Sequence, residues 1–294
     1  MSDIAQQTSL LKEVTDEERT ALQTALTDFM KEVHDVCVRY GLTPYLCYGT
    51  ALGAVRHHGF IPWDDDIDIA MFRDDWEKFK SIFEKELGEK YDLEAPGYKD
   101  EDTKTLWGKI YKKGTELIEV QDLNTPYHKG IFIDVFIIEN VSKYKLVRYL
   151  DHVISIAMQG IATSMIYYRY PNELMKTFMS SNHKAKIYFF MRRTLGFLFS
   201  FVSHKKWAVI YDRFISRHKK ESPLVSIPFG YGYYLGGVKE RKIWQPAKYI
   251  PFGGYFFCVP NEIHTYLKRT YGEDYMTLPP VEKREKHFVV SLKL

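Results

Sequence analysis

Residues 45–79 read YLCYGTALGAVRHHGFIPWDDDIDIAMFRDDWEKF, and their order of elements decides the fold. The apolar run Tyr45–Tyr48 predicts a short strand. Gly49-Thr50 then opens a short helix through Arg56, the loop HHGFIPWDDD follows, and Ile67–Phe72 predicts a second strand. A further helix starts at Asp74 and Glu77. Side chains alternate along a strand, so Asp66 and Asp68 project to one face at its entrance. Two carboxylates that close repel unless a cation or proton lies between them, and hard oxygen ligands suit Mg²⁺ or Mn²⁺. The strand-to-helix junction at Gly49-Thr50 offers backbone N–H groups to a phosphate, and Arg56 is a candidate to clamp one bidentately.

A third acid lies further on. Ile131–Ile138, IFIDVFII, predicts a central strand, and Asp134 is its only charged residue. An ionised group there is costly to bury without a metal or a partner. Strand, Gly-Thr, helix, strand with D-x-D is the layout of the nucleotidyltransferase fold. The expected class is therefore α+β: a nucleotidyltransferase-like mixed sheet core with flanking helices and an added helical, basic segment. Residues 105–120 predict a hairpin around Lys113-Gly114, from which Lys109 rather than Lys112 is the candidate to reach a phosphate.

Outside this core, residues 16–40 predict an amphipathic helix with a Thr15/Glu18 capping box and Gly41 as its stop. Pro260 is placed in the first turn of a helix ending at Tyr271 and closed by Gly272. Charge is segregated: residues 141–220 hold 15 Lys and Arg against 3 Asp and Glu, although the 294-residue chain is only +3 overall. The same segment carries the uncharged apolar runs Val153–Tyr168 and Thr194–Ser203, flanked by Arg192, Arg193, Lys205 and Lys206, a pattern that fits either an anionic membrane surface or a buried helical subdomain with a basic exterior. Three parts are expected: 1–140, the catalytic core with its N-terminal helix; 141–220, a basic aromatic helical insertion; and 221–294, a C-terminal part completing the substrate site. With 45% hydrophobic and 16% aromatic residues, the composition excludes a disordered or collagenous chain. Cys37, Cys47 and Cys258 match no zinc or redox spacing, neither secretion nor membrane crossing is expected, and no nucleic-acid motif accompanies the basic charge. A cytoplasmic protein, peripheral on the inner face of the membrane, is expected.

The run Tyr48–Phe79 resembles the signature of the LicD family of phosphotransferases, in the nucleotidyltransferase-fold superfamily that includes the fukutin-type proteins. GIFIDVF around Asp134, VPNEIHTYLKRTYGEDYMTLPP (Val259–Pro280) and the KREKH ending at His287 agree in order, whereas 141–230 carries no motif of the family. The resemblance implies metal-dependent transfer of phosphocholine from CDP-choline to a sugar hydroxyl of a bacterial surface glycan precursor, teichoic acid or lipopolysaccharide, with CMP released. It implies that Asp66 and Asp68, with Asp64, hold the divalent ion, and that Asp134 supplies the third acid as base or ligand. Gly49, Thr50, Arg56 and Lys109 are the nucleotide and phosphate candidates. A quaternary ammonium is best held by aromatic faces, for which Trp63, Tyr231, Tyr233, Trp244 and Tyr255 are candidates, with His287 reaching back to the site. Phe252-Gly253-Gly254 departs from the acidic Phe-Glu-Gly-like segment expected there, which bears on donor or acceptor choice. The competing readings are a transferase of the same fold using CDP-ribitol or CDP-glycerol, a non-catalytic nucleotide- or membrane-binding protein, and nucleotidyl transfer itself.

Overall fold

A computed structural model describes residues 11–99, 103–171, 183–284 and 288–294. After the two-residue strand β1 (Lys12–Glu13), helix α1 runs from Asp16 to Arg39. Its capping box forms as expected: the Thr15 hydroxyl accepts from the Glu18 N–H at 3.2 Å, and the Glu18 carboxylate accepts from the Thr15 N–H at 3.1 Å. Two donors that the helix cannot satisfy itself are thereby paired. Leu22, Leu26, Phe29, Met30 and Val33 form its buried stripe.

The centre is a mixed sheet in the order β2 (Tyr45–Leu46), β3 (Ile67–Phe72), β7 (Phe132–Asn140), β5 (Gly108–Lys112) and β4 (Tyr91–Glu94). At one end β8 (Leu224–Ser226) pairs with β7, and β9 (Lys239–Glu240) pairs with β8. Among the described strands of this sheet, only β3 and β7 run parallel. Helix α2 (Tyr48–His57) joins β2 to β3, and α3 (Arg73–Glu86) follows β3. Alternation along the strands turns Ile69, Ile110, Ile133 and Val135 into the core, where each is wholly buried. Burial of that kind contributes roughly 1.5–3 kcal/mol per side chain. The opposite face is left for the polar residues between them.

The expected hairpin at 105–120 does not form as a pair. Gly114, at φ +77°, makes the reversal, but β5 pairs with β7 and β4, whereas β6 (Glu116–Glu119) joins a separate sheet beside β12 (Phe288–Lys293) and β1. The turn residues set the change of direction; distant strands set the partners.

Residues 141–220 are helical where described: α4 (Lys145–Arg169), α5 (His183–Leu198) and α6 (His204–Ile215). Leu106, Ala162, Ala208, Tyr211 and Ile215 form a small second core there. Arg73 of α3 bonds Glu139 of β7 and, at 2.8 Å, Asp212 of α6, so the helices are tied to the sheet through one guanidinium. The chain then passes through α7 (Tyr233–Gly236), α8 (Arg241–Trp244), the hairpin β10 (Lys248–Phe252) and β11 (Tyr255–Val259), and α9 (Ile263–Tyr271). Helix α9 begins three residues later than expected, with Glu262 rather than a residue before Pro260 at its N-cap; Gly272, at φ +99°, closes it. Val225, Trp244, Phe252, Val259 and Tyr266 belong to the same core as α1 and the central sheet, so the C-terminal part completes that core.

Candidate active site

The register of the sheet sets the chemistry. Asp68 on β3 is opposite Asp134 on β7, and Asp134 is opposite Lys109 on β5, so an acid, an acid and a base form one row across three strands. Asp66, just before β3, joins them: carboxylate oxygens of Asp66, Asp68 and Asp134 all lie within 4.8 Å of one another. Asp64, Asp65 and Asp66 form a second such group at its edge. The Asp134 carboxylate is held from two sides, because the Trp107 indole N–H donates to its Oδ1 at 2.7 Å and the Lys109 ammonium lies 3.3 Å from the same oxygen. Burial pushes the carboxyl of Asp66 well above the ordinary aspartate range, helped by Asp68 and Asp64. Burial does the same to Asp68, helped by Asp134 and Asp64 and opposed by Lys109.

With all three carboxylates ionised, one ammonium would leave two negative charges in a space a few ångströms across, which is the same repulsion that raises the Asp66 and Asp68 carboxyls. That deficit, with an all-oxygen donor set, fits a divalent hard cation such as Mg²⁺ or Mn²⁺.

Above the acids opens a cavity of about 620 Å³. Gly49, Asp64, Asp66 and Asp68 line its floor. Its walls are aromatic: Tyr48 from the start of α2, Trp107 from just before β5, Phe136 from β7, Phe229, Tyr231 and Tyr233 from the segment after β8, and Tyr271 at the end of α9. Trp107 is stacked between Phe136, at a centroid distance of 6.0 Å, and Phe229, at 4.5 Å. Gly230 has to be small: a Cβ there would lie 1.8 Å from the Tyr48 hydroxyl oxygen, so the segment carrying the tyrosines is seated directly on that hydroxyl. Gln159 of α4 completes the lining, its amide donating to the Tyr211 hydroxyl at 2.6 Å and to the Pro228 carbonyl at 3.0 Å.

Among the residues singled out from the sequence, Asp64, Asp66, Asp68, Gly49, Tyr231 and Tyr233 line this cavity, and Asp134 is buried beside it. Others have different occupations. Thr50 is buried, and its hydroxyl accepts from the Asp68 N–H at 2.8 Å, which makes it a support of the strand rather than part of the lining. Arg56 donates to the carbonyls of Tyr275 and Thr277, both at 3.2 Å, and so secures the C-terminal loop. Lys109 is spent on Asp134. Trp63 is covered by the Arg284 guanidinium at 4.5 Å, Trp244 is 2% exposed between Tyr45 and Tyr266, and Tyr255 packs on Phe257 in β11. His287 lies outside the described residues. Gly253 and Gly254, at φ +58° and +86°, form the two-residue turn of the β10–β11 hairpin, with the Gly253 N–H donating to the His58 carbonyl at 2.9 Å. Their sequence is thus accounted for by turn geometry, and neither lines the cavity.

The wall residues Trp107 and Phe136 were missed although a signal existed. They stand two positions from Lys109 and Asp134: Phe136 on the same face of β7 as Asp134, and Trp107 just before β5, where its N–H reaches Asp134.

Residues 41–148, which hold every acid of the cluster, match the family model described as LicD/FKTN/FKRP, nucleotidyltransferase domain. The chain is 26% identical to the lipopolysaccharide cholinephosphotransferase LicD of Haemophilus influenzae over 284 residues, 95% of this chain and 98% of that protein. An uncharacterized protein of Rickettsia typhi is 39% identical over 66 residues, 22% of this chain and 21% of its own length. One from Rickettsia prowazekii is 41% identical over 51 residues, 17% and 19% respectively.

Proposed function

We propose, for a chain whose residues 41–148 belong to the LicD nucleotidyltransferase-domain family, that it transfers phosphocholine from CDP-choline to a hydroxyl of a cell-surface glycan precursor, releasing CMP. The observation that carries this reading is the pairing of a three-carboxylate cluster with an aromatic cavity directly above it. The carboxylates suit a diphosphate bridged by a cation, and the aromatic faces suit a quaternary ammonium, each contact contributing about 0.5–2 kcal/mol.

Asp66 and Asp68 would hold the divalent ion, which when bound neutralises the charge that develops on the diphosphate as the donor breaks. The residues of the chain do the rest by position. The first turn of α2 brings Tyr48 and Gly49 to the cavity; the Tyr48 N–H donates to the Tyr266 hydroxyl at 3.1 Å, and the positive end of the helix dipole at Gly49 favours phosphate oxygens there. The stack of Trp107 with Phe136 and Phe229 fixes the wall, and the rings that line the cavity around it, Tyr48, Tyr231, Tyr233 and Tyr271 among them, are offered to the head group, which sets the phosphorus between the wall and the floor. The sugar oxygen then forms its bond to phosphorus as the bond to CMP breaks. We assign Asp134 to receive the hydroxyl proton, since Trp107 and Lys109 fix its orientation.

The test is CMP release by the purified protein with Mg²⁺ and a glycan acceptor, comparing CDP-choline, CDP-glycerol and CDP-ribitol, with Asp66→Asn as control. Release from CDP-choline alone, lost in the variant, is expected. Release from a polyol donor instead overturns the head group, and release that persists in Asp66→Asn overturns the role of the acids.

A further inference from the structure

The outer face of α4 and α5 is the most apolar surface among the described residues. Of the 25 large hydrophobic side chains left exposed there, 15 lie between Tyr144 and Ile210. They are ordered along α4, where Leu146, Leu150, Val153 and Ala157 recur at helical spacing and lead to Gly160. At Gly160 a groove of about 390 Å³ opens between the two helices, lined by Tyr188, Phe190, Met191, Leu195 and Leu198. Arg192 holds the helices together at this point, donating to the Gly160 carbonyl at 3.1 Å and to the Thr163 hydroxyl at 2.7 Å.

Charge on this face has one sign. Helix α5 contains no acid. The acids of α4 and α6 point inward: Asp151 to Arg217, His218 and the Tyr234 hydroxyl, and Asp212 to Arg73. Lys145, Lys184, Lys186, Arg193 and Lys206 are exposed. A second copy set on the same face would bring two basic rims together. An anionic bilayer offers what the face lacks, phosphates for the rim and hydrocarbon for the apolar stripe.

We infer that the α4–α5 face docks on an anionic lipid bilayer, with the groove at Gly160 taking an acyl chain. Gln159 lines the candidate active-site cavity and Gly160, the next residue, lines the groove, so the cavity lies behind the docked face across α4. This inference does not depend on the donor or on turnover.

The experiment is sedimentation of the full chain with vesicles of phosphatidylcholine alone and with added phosphatidylglycerol. Binding is expected only with the anionic lipid. Lys186→Glu/Arg193→Glu/Lys206→Glu should lower partitioning by about tenfold or more, because each basic residue near such a surface contributes. Phe190→Ser/Phe201→Ser, at side chains 72% and 79% exposed, should lower it as well with the melting temperature unchanged. Three results overturn the inference. One is absence of binding, and another is binding that ignores the phenylalanine pair. The third is a dimer in ultracentrifugation that Phe190→Ser converts to monomer, which would place a second copy on the face.

Discussion

The floor and the wall of one cavity are built on opposite principles. The floor is a row of charges whose spacing follows from strand register: Asp68, Asp134 and Lys109 face one another because β3, β7 and β5 pair at those residues. The wall draws on segments far apart in the chain, from Tyr48 to Tyr271, and needs only that flat rings converge. Charges must be placed to within ångströms, because their interaction varies steeply with distance in a site shielded from water; ring faces tolerate looser placement. The sharpest way to break this contrast is at the floor. Asp68→Asn should lower turnover by at least about a thousandfold, by removing a ligand and a charge together. The same variant should melt no lower than the parent, since it relieves repulsion among buried carboxylates. A variant that unfolds would show that the acids support the fold rather than the chemistry.

Within the aromatic residues, two tryptophans sharpen the comparison. Trp244 is packed between Tyr45, at 5.5 Å, and Tyr266, at 5.0 Å, in the core. Trp244→Ala should cost about 3–5 kcal/mol of stability in urea unfolding, while the molecules that remain folded keep their KM for the donor. Trp107 has one edge on Asp134 and its ring in the stack with Phe136 and Phe229 at the cavity wall. Trp107→Phe keeps a ring in that stack and removes the N–H, so kcat should fall roughly tenfold or more, the worth of a hydrogen bond to a charged group, with KM little changed. A rise in KM with kcat intact would mean that the indole acts on the head group and not through Asp134.

The same contrast governs what was legible in the sequence. The floor was readable because Asp64, Asp66 and Asp68 occupy one short stretch and Asp134 is the lone charge in an apolar strand. Trp107 and Phe136 were readable in principle by counting two from Lys109 and Asp134. Phe229, Tyr271 and Gln159 had no local signal. They reach the cavity only because α4, the segment after β8 and α9 pack around it, and composition cannot separate Tyr231, in the wall, from Trp244, in the core. The fold divides likewise. Helix α1 announced itself through its cap and β3 through its alternation, whereas β6 lies beside a clear turn and still pairs with β12, more than 160 residues away, because pairing between distant strands leaves no mark near either.

The smallest expected effect concerns protons at the floor. Asp66 and Asp68 are held above their ordinary value of 3.8 by burial and by the neighbouring carboxylates. A carboxyl whose pKa is raised on folding keeps a proton that the unfolded chain has released. Its contribution to stability is fully present below the ordinary value and is lost as pH rises through the raised one. In metal-free protein, therefore, Asp68→Asn should gain on the parent as pH increases from about 5 to 8, by a few degrees in Tm. Added Mg²⁺ should close the gap from the other side, raising the parent and leaving the variant nearly unchanged, because a ligand that binds only the folded state stabilises it. The wall offers no comparable response: Trp107→Phe, which leaves all three carboxylates in place, should follow the parent in both pH and Mg²⁺. Parallel melting curves for the parent and Asp68→Asn across this range, in chelator and in Mg²⁺ alike, would refute an electrostatically strained floor.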